Sequence, residues 1–362
     1  MARPSRVRLF ADALEQNLGV VRRHAPNSRV MAVVKADAYG HGLEWVAGVL
    51  ESAGADAFGV ACIEEGVRLR EAGIRAPVFI LEGFFRDDEL SAAESLELGL
   101  VLHRSDQVER VLAWKGTGPP LRCFLKVDTG MHRLGLEPET AAAWGARLAA
   151  APGLRWEGLF SHMARADTPE DPYNRGQVEV LEATAAQLPE RPALSLANSG
   201  ALLEMPESRM DWVRPGLMLY GASPFPERDG ADLGLKQVLR LESEIITVRR
   251  LEPGDWIGYG TGFQADRIMR VGVVPLGYGD GYPRHLETGT PVRVAGRPSR
   301  TLGRVCMDMV FVDLEPMPEA REGSPVELLG PEVPAEVLAR AAGTIPYEIL
   351  CGLRMRLQRL AR

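Results

Sequence analysis

Short apolar runs alternate with stretches of helical periodicity through the first two thirds of the chain. We interpret eight of these runs as strands, because each is a short apolar segment bounded by turn residues. They cover Val30–Val34, Ala57–Ala61, Pro77–Leu81, Leu98–Leu102, Leu121–Val127, Trp156–Phe160, Leu194–Ala197 and Trp212–Leu219. Helix-like stretches lie between them, among them Leu43–Ser52, Glu64–Ala72, Pro138–Ala150 and Arg175–Gln187. This alternation predicts an N-terminal (β/α)8 TIM-type barrel of the α/β class.

The pattern changes after Gly221, where a Pro- and Gly-rich loop interrupts the alternation. Strand-like segments then dominate, at Val238–Arg249, Arg270–Leu276, Pro291–Val294, Gly303–Val312 and Pro325–Leu328. A helix at Pro334–Ala341 and a strand at Gly352–Arg359 follow. We therefore predict a barrel domain over residues 1–228 and a mainly-β C-terminal domain over residues 229–362. Residues 1–10, with a strand at Arg6–Phe10, are expected to join the second domain, and a helix is expected at Asp12–His24.

Composition narrows the class of protein. A chain of 362 residues with 46% hydrophobic and 25% charged residues is typical of a globular protein with two buried cores. The net charge of −7, without a block of basic residues, argues against nucleic acid as the main partner. No apolar run has membrane-spanning length, and no apolar region of a secretion signal follows the first basic residues. With four scattered cysteines and no metal-binding motif, we expect a cytoplasmic protein with reduced thiols and no metal site.

Barrels of this kind place their chemistry at the C-terminal ends of their strands. Lys35 stands at the end of the first predicted strand, and a polar, glycine-rich segment follows it. A lysine at the mouth of a buried strand is a candidate Schiff-base nucleophile. On this stretch alone, a lysine that simply caps a strand edge is an equally good interpretation.

The other strand ends supply polar residues around the same rim. These residues are Asp128 and Arg133 after the fifth strand, Ser161 and His162 after the sixth, Asn198-Ser199-Gly200 after the seventh, and Arg214-Pro215-Gly216-Leu217 after the eighth. A hydroxyl and glycine backbone after strands seven and eight suit a phosphate group. Each residue alone has an ordinary structural explanation, such as a core histidine or a helix cap. Together, at five strand ends around one lysine, they favour an active site.

Several contiguous segments carry a more specific signal. Val33-Val34-Lys35-Ala36-Asp37-Ala38-Tyr39-Gly40-His41-Gly42 resembles the segment of alanine racemases that carries the pyridoxal-phosphate (PLP) lysine. Segments similar to other signatures of that family follow along the chain, at residues 126–135, 214–221, 277–284, 303–308 and 345–348. The chain is thereby identified as a member of the alanine racemase family, of fold type III.

The resemblance implies the cofactor and two catalytic groups. PLP would be held by Lys35, and the two bases that exchange the α-proton would be Lys35 and Tyr278, the latter from a second subunit. The resemblance implies further contacts to the PLP ring or phosphate from Tyr39, His162, Asn198, Ser199, Arg214, Gly216, Leu217 and Tyr347. Tyr347, from across the dimer, would also crowd the substrate side chain and favour alanine.

The resemblance also implies a substrate site and a homodimer. Arg133 would bind the substrate carboxylate, together with the backbone N–H of Met307 from the second subunit, with Asp308 in support. Lys126 beside Arg133 would place two cations at one site, and in some family members the matching lysine is carbamylated, so we expect a carbamate here. His132 stands where many members carry glycine.

The implied activity is interconversion of L-alanine and D-alanine by proton transfer between two bases, which supplies D-alanine for peptidoglycan. A serine or broad-specificity racemase on the same scaffold is one alternative. A non-catalytic PLP-carrier protein is another, although a second domain with Tyr278 argues against it. A barrel decarboxylase would need an acidic residue at the PLP ring nitrogen, and Arg214 has the opposite charge.

Overall fold

The computed structural model describes residues 3–260, 262–354 and 356–361. They divide into two compact units, one over residues 17–38 and 43–219, and the other over residues 3–16, 39–42 and 220–361. The chain begins with strand β1 (Arg6–Leu9) and helix α1 (Ala11–His24). The predicted barrel followed by a mainly-β domain is confirmed.

Eight parallel strands close the barrel of the first unit. They are β2 (Arg29–Val33), β3 (Ala57–Val60), β4 (Val78–Ile80), β5 (Leu98–Leu102), β6 (Leu121–Lys126), β7 (Leu154–Phe160), β8 (Leu194–Ser195) and β9 (Trp212–Val213). The helices that follow them are α2 (Lys35–Tyr39), α3 (Leu43–Ser52), α4 (Ile63–Glu71), α5 (Asp88–Ser95), α6 (Ser105–Ala113), α7 (Pro138–Ala149), α8 (Pro172–Ala185) and α9 (Ser199–Glu204).

Large side chains from the strands fill the barrel interior. The buried cluster comprises Met31, Ala57, Phe79, Val101, Phe124, Phe160 and Trp212, one from each of seven strands. Burying a phenylalanine stabilises the fold by about 1.5–3 kcal/mol. Gly99 in β5 leaves room for the Phe79 ring, since a Cβ there would lie 2.3 Å from that ring. This packing makes the barrel a rigid platform whose strand ends carry the polar residues.

Nine strands form one sheet in the second unit, in the order β11-β12-β15-β14-β13-β16-β10-β1-β17. Those not yet named are β10 (Leu239–Glu244), β11 (Thr247–Leu251), β12 (Met269–Val274), β13 (Pro291–Val294), β14 (Arg297–Leu302), β15 (Val310–Asp313), β16 (Pro325–Leu329) and β17 (Gln358–Ala361). The unit also holds helices α10 (Ala335–Ala342) and α11 (Pro346–Cys351). β1 pairs antiparallel with β10 and parallel with β17. The predicted boundary between the two domains, after residue 228, stays a proposal.

Two predicted strands are wrong in extent, and both errors fall on site residues. The run Trp212–Leu219 is a strand only to Val213, because Pro215 and Gly216 interrupt it and a 3₁₀ helix covers Leu217–Tyr220. The run Gly303–Val312 is a strand only from Val310. A tight turn precedes it, closed by the Cys306 N–H bonded to the Met309 carbonyl at 2.9 Å.

Smaller differences concern elements that the apolar pattern merged or passed over. The run Val238–Arg249 is two strands, β10 and β11. Strand β14 and helix α11 were not predicted, and no bounds were predicted for the barrel helices α2, α5, α6 and α9. The last strand begins at Gln358 instead of Gly352, and Met355 within the predicted range lies outside the described residues.

Candidate active site

Lys35 follows β2 and begins a left-handed turn. Ala36, Asp37, Ala38 and Tyr39 all have φ between 53° and 55°, so α2 is a left-handed turn built without glycine. Left-handed helical conformation costs about 1–2 kcal/mol per L-residue. Sequence alone predicted only a polar turn here, and such strain concentrated in one segment is typical of functional sites.

Hydrogen bonds from the barrel hold this left-handed turn in place. The Ala38 N–H bonds to the Val34 carbonyl at 2.9 Å, and the Ala36 N–H bonds to the Glu65 carboxylate at 2.7 Å. The Asp37 carboxylate accepts from Arg68 at 3.1 Å. The turn therefore fixes the backbone of Lys35 at the strand end.

Lys126, at the end of β6, is a buried cation among other cations. Lys126 is only 6% exposed, and it forms no ion pair within the part of the chain that the structure describes. Burial, followed by the charges of Arg214, Arg133 and Lys35, lowers the pKa of Lys126 to about 8. Arg133 is exposed and likewise has no carboxylate partner among the described residues. Lys126 and Arg133 therefore belong to a group of cations in which only Glu82 acts on Lys126 with the opposite charge, and such a group would attract an anion.

Arg214 and His162 form a hydrogen-bonded pair at the ends of β9 and β7. The buried Arg214 guanidinium donates to the Ser195 hydroxyl at 2.6 Å, to the Ser161 carbonyl at 2.5 Å and to His162 Nδ1 at 3.3 Å. Burial and then the Arg214 charge lower the pKa of His162 well below its usual value. The imidazole is therefore neutral at physiological pH, with Nδ1 as the acceptor. Nε of Arg214 makes no hydrogen bond to any residue in the described ranges and remains available as a donor.

Backbone N–H groups after β8 and β9 surround the Ser199 hydroxyl. Asn198 caps α9 by accepting from the Ala201 N–H at 3.2 Å, and the Ser199 hydroxyl accepts from the Gly216 N–H at 3.0 Å. Within the described ranges, the N–H groups of Ser199, Gly200 and Leu217 have no hydrogen-bond partner. Buried N–H groups without an acceptor are costly unless an anion or water binds them. The donor set therefore fits a phosphate group.

Tyr39 belongs to the second unit and packs among aromatic rings. Its ring stacks on Tyr220 with centroids 4.7 Å apart and lies 6.0 Å from Tyr347. Burial raises the pKa of the Tyr39 phenol far above its usual value, so this hydroxyl stays protonated as a donor. The structure thus brings together, within one chain, two of the tyrosines that the resemblance assigned to PLP. The expectation that Tyr347 comes from across the dimer is wrong, because its ring lies beside Tyr39 of its own chain.

Tyr278 and Met307 lie on neighbouring segments of the second unit. Tyr278 begins a 3₁₀ turn (Tyr278–Asp280) and is half-buried, and its N–H bonds to the Cys306 carbonyl at 3.0 Å. The Gly279 N–H bonds to the Met307 carbonyl at 2.8 Å. The Met307 N–H has no acceptor among the described residues, and the side chain is 53% exposed. This N–H is therefore free to bind a substrate group.

An exposed phenol in the second unit was missed by sequence reasoning. Tyr259 lies in the connection from β11 to β12 and is 73% exposed, and no large apolar or aromatic side chain in the described ranges is more exposed. Gly258 and Gly260 on either side have φ of +75° and +69°, so tight turns present the ring. The signal in the sequence was a tyrosine between two glycines in a glycine-rich connection.

His132 now has a physical explanation. Its φ is +54°, a region that glycine occupies without strain, which accounts for the glycine that many family members carry there. The imidazole Nδ1 lies 3.2 Å from the Asp128 carboxylate, and the His132 N–H donates to the same carboxylate at 3.0 Å.

We expect His132→Gly to be more stable than His132→Ala by about 1 kcal/mol. Both variants lose the imidazole, and only glycine removes the backbone strain. Urea unfolding monitored by circular dichroism measures the difference. An alanine variant as stable as the glycine variant would contradict the strain argument.

The chain has a closed parallel barrel with a lysine after its first strand and basic residues at later strand ends, followed by a β domain. These features define a class of barrel enzymes with a C-terminal β domain. Two family profiles cover almost the whole chain, "Alanine racemase, N-terminal domain" over residues 10–224 and "Alanine racemase, C-terminal domain" over residues 238–361. The chain belongs to the alanine racemase family.

Individual relatives agree with this family assignment. An alanine racemase of Acidithiobacillus ferrooxidans is 50% identical and matches 99% of each chain. A catabolic alanine racemase of Salmonella typhimurium is 44% identical over 98% of each chain. The crystal structure of the biosynthetic alanine racemase from Pseudomonas aeruginosa superposes with a TM-score of 0.94 at 42% identity, covering 99% of each chain.

Proposed function

We propose that the protein interconverts L-alanine and D-alanine with PLP as cofactor. The observation that carries the proposal is a group of cations, Lys126, Arg133 and Arg214, that form no ion pair in the described ranges. They lie at the barrel end where Lys35 begins its left-handed turn. Bound PLP withdraws electrons from the α-carbon of an attached amino acid and so acidifies its α-proton. The residues of the chain then have to bind the cofactor, orient the substrate and move one proton.

The residues that would hold PLP fit its chemical groups. Lys35 supplies the amine for the aldehyde, and the N–H groups of Ser199, Gly200 and Leu217, with the Ser199 hydroxyl and Gly216, suit the phosphate. Tyr39 and Tyr347 would add phenol donors. Arg214 Nε would donate to the ring nitrogen, and a guanidinium cannot accept a proton from it. His162, kept neutral by its burial and by the Arg214 charge, would support this arrangement.

The proton transfer needs one base on each face of the substrate α-carbon. Lys35 would serve on one face. On the other face the sequence assignment is Tyr278, contributed by the second subunit of a homodimer, as is the Met307 N–H for the substrate carboxylate. Exposure in the chain favours Tyr259 instead, because a phenol that reaches a neighbouring subunit has to project from its own. Tyr259 and Tyr278 are therefore both candidates for the second base.

Turnover of L-alanine, L-serine and L-lysine by the purified holoenzyme tests the proposed function. We expect alanine to be preferred, with formation of D-alanine followed by chiral chromatography. Comparable turnover of lysine would support a broad-specificity racemase. Binding of PLP without exchange of the α-proton in D2O would support a carrier protein.

The role in the cell is a separate proposal. Supply of D-alanine for peptidoglycan is our proposed role, although relatives named as biosynthetic and as catabolic match with similar identity. No helix in the described ranges is long and apolar enough to span a membrane, and those residues contain no cluster that could hold a metal ion. We propose a cytoplasmic homodimer.

We expect Lys126 to be carbamylated. A buried amine with a pKa of about 8 is substantially neutral near pH 8 and can add carbon dioxide, and the resulting anion would compensate the neighbouring cations. Protein equilibrated with ¹³C-bicarbonate should show a carbamate ¹³C signal that is absent in Lys126→Ala.

The pH dependence of the free energy of unfolding distinguishes a plain amine at Lys126 from a carbamate. If Lys126 were a plain amine, its pKa would be about 8 when folded and 10.5 when unfolded, so the unfolded chain would bind more protons between these values. The free energy of unfolding would then rise with pH across that window. Such a rise, without a ¹³C signal that depends on Lys126, would contradict carbamylation.

A further inference from the structure

A buried carboxylate joins the segments that carry Tyr278 and Met307. Asp280 is fully buried and accepts from Arg3 at 2.7 and 2.9 Å and from Arg356 at 2.6 and 3.1 Å. The Gly277 N–H adds a fifth hydrogen bond at 2.9 Å. Burial alone would raise the pKa of Asp280, but the bonds from Arg356, Arg3 and Gly277 hold it below its usual value. We call Asp280, Arg3, Arg356 and Asp308 the Asp280 cluster.

The cluster continues into the loop that carries Met307. Arg356 also donates to the Asp308 carboxylate, and Arg3 donates to the Asp308 carbonyl at 3.4 Å. The same two arginines thus bind the 3₁₀ turn at Tyr278 and the residue after Met307. Paired charge-assisted hydrogen bonds from planar guanidinium groups fix orientation as well as distance.

Backbone contacts between the two segments leave no free space. A Cβ at Gly277 would lie 2.2 Å from the Cys306 carbonyl oxygen and 2.6 Å from the Met307 carbonyl carbon. Any shift of the turn would therefore push directly on the Cys306–Met307 peptide. The Met307 carbonyl is held by the Gly279 N–H, while the Met307 N–H has no acceptor in the described ranges.

We propose that Asp280 is a positioning residue for the substrate-carboxylate site, acting through the Met307 N–H. This inference rests on the proposed function, since it assumes that this N–H binds the substrate. The Asp280 carboxylate holds Arg3 and Arg356 together, and the two arginines hold the Met307 loop against the turn. The inference does not depend on whether Tyr278 or Tyr259 is the second base.

The test is Asp280→Asn in the PLP-loaded enzyme. The amide keeps the shape of the side chain but cannot hold two arginines, which then repel each other. We expect KM for alanine to rise about tenfold to a hundredfold, because small misplacements of a binding group have effects of that size, while kcat changes far less. The inhibition constant of propionate, which keeps the carboxylate and lacks the amino group, should rise by the same factor.

Glu327→Gln is the matched control. Glu327 forms an ion pair with Arg240 at 2.9 Å and accepts the Glu332 N–H at 2.9 Å, so it is a partly buried carboxylate of the same unit with different partners. This variant should leave KM and the propionate constant unchanged even where its unfolding midpoint falls. Arg3→Gln, which removes two of the five bonds to Asp280, should give a smaller rise in KM and serves if Asp280→Asn does not fold.

Two results would overturn the inference. One is a loss of stability in Asp280→Asn and Arg3→Gln with no change in KM or in the propionate constant, which would make the cluster a structural tie only. The other is an equal rise in KM in Glu327→Gln. A wild-type enzyme that does not racemise alanine would instead overturn the proposed function. In that case, calorimetric binding of propionate to the wild type and to Asp280→Asn would still test the role of the Asp280 cluster.

Discussion

Replacing Lys35 with alanine is expected to abolish racemisation, with a fall of at least about 10⁴-fold in kcat. One amine is proposed both to hold PLP covalently and to move the α-proton, so its loss removes two functions at once. The absorbance band at about 420 nm, which reports PLP joined to a lysine, should disappear as well. Chiral chromatography of alanine and an absorbance spectrum measure the two effects separately.

Two controls make this result specific to Lys35. Lys115→Ala removes an exposed lysine of the same unit and should change neither the spectrum nor the rate. Added methylamine should restore part of the activity of Lys35→Ala, since it supplies an amine in the space that the side chain leaves. A Lys35→Ala variant that keeps the band and racemises at the wild-type rate would refute the assignment of Lys35.

The barrel and the positions of its strand ends could be predicted from the sequence because parallel buried strands are continuous apolar runs. Asp128 and Ser161 directly follow such runs, so their location on the rim followed from the strands alone. The same reasoning was wrong for Leu217, since the apolar run continues past Val213 while Pro215 breaks the strand. The apolar pattern reports burial, and a buried 3₁₀ helix has the same pattern as a buried strand.

The left-handed turn after Lys35 could not be predicted from local residue preferences. Alanine and aspartate favour other conformations, and the turn exists because Glu65 and Arg68, far along the chain, bind it. The Asp280 cluster was hidden for a similar reason. Its arginines lie near opposite ends of the chain, and nothing in the spacing of Arg3 and Arg356 indicates that one carboxylate joins them.

Substitution of the second base by phenylalanine is expected to lower kcat for racemisation by about 10²–10⁴-fold in both directions. Lys35 would still remove the α-proton from one enantiomer, so that enantiomer alone should exchange its α-proton in D2O without inversion. Tyr259→Phe and Tyr278→Phe are the two variants to compare. We expect this pattern in Tyr259→Phe, because Tyr259 is 73% exposed whereas Tyr278 is half-buried in a turn fixed by the Cys306 carbonyl.

Tyr282→Phe provides the matched control for the loss of a phenolic oxygen. The Tyr282 ring is buried and its hydroxyl has no hydrogen-bond partner in the described part of the chain, so its removal should leave the rate unchanged. One-sided exchange in Tyr278→Phe, with normal racemisation in Tyr259→Phe, would restore the assignment made from the sequence. If both variants racemised alanine at the wild-type rate, neither Tyr259 nor Tyr278 could be the second base.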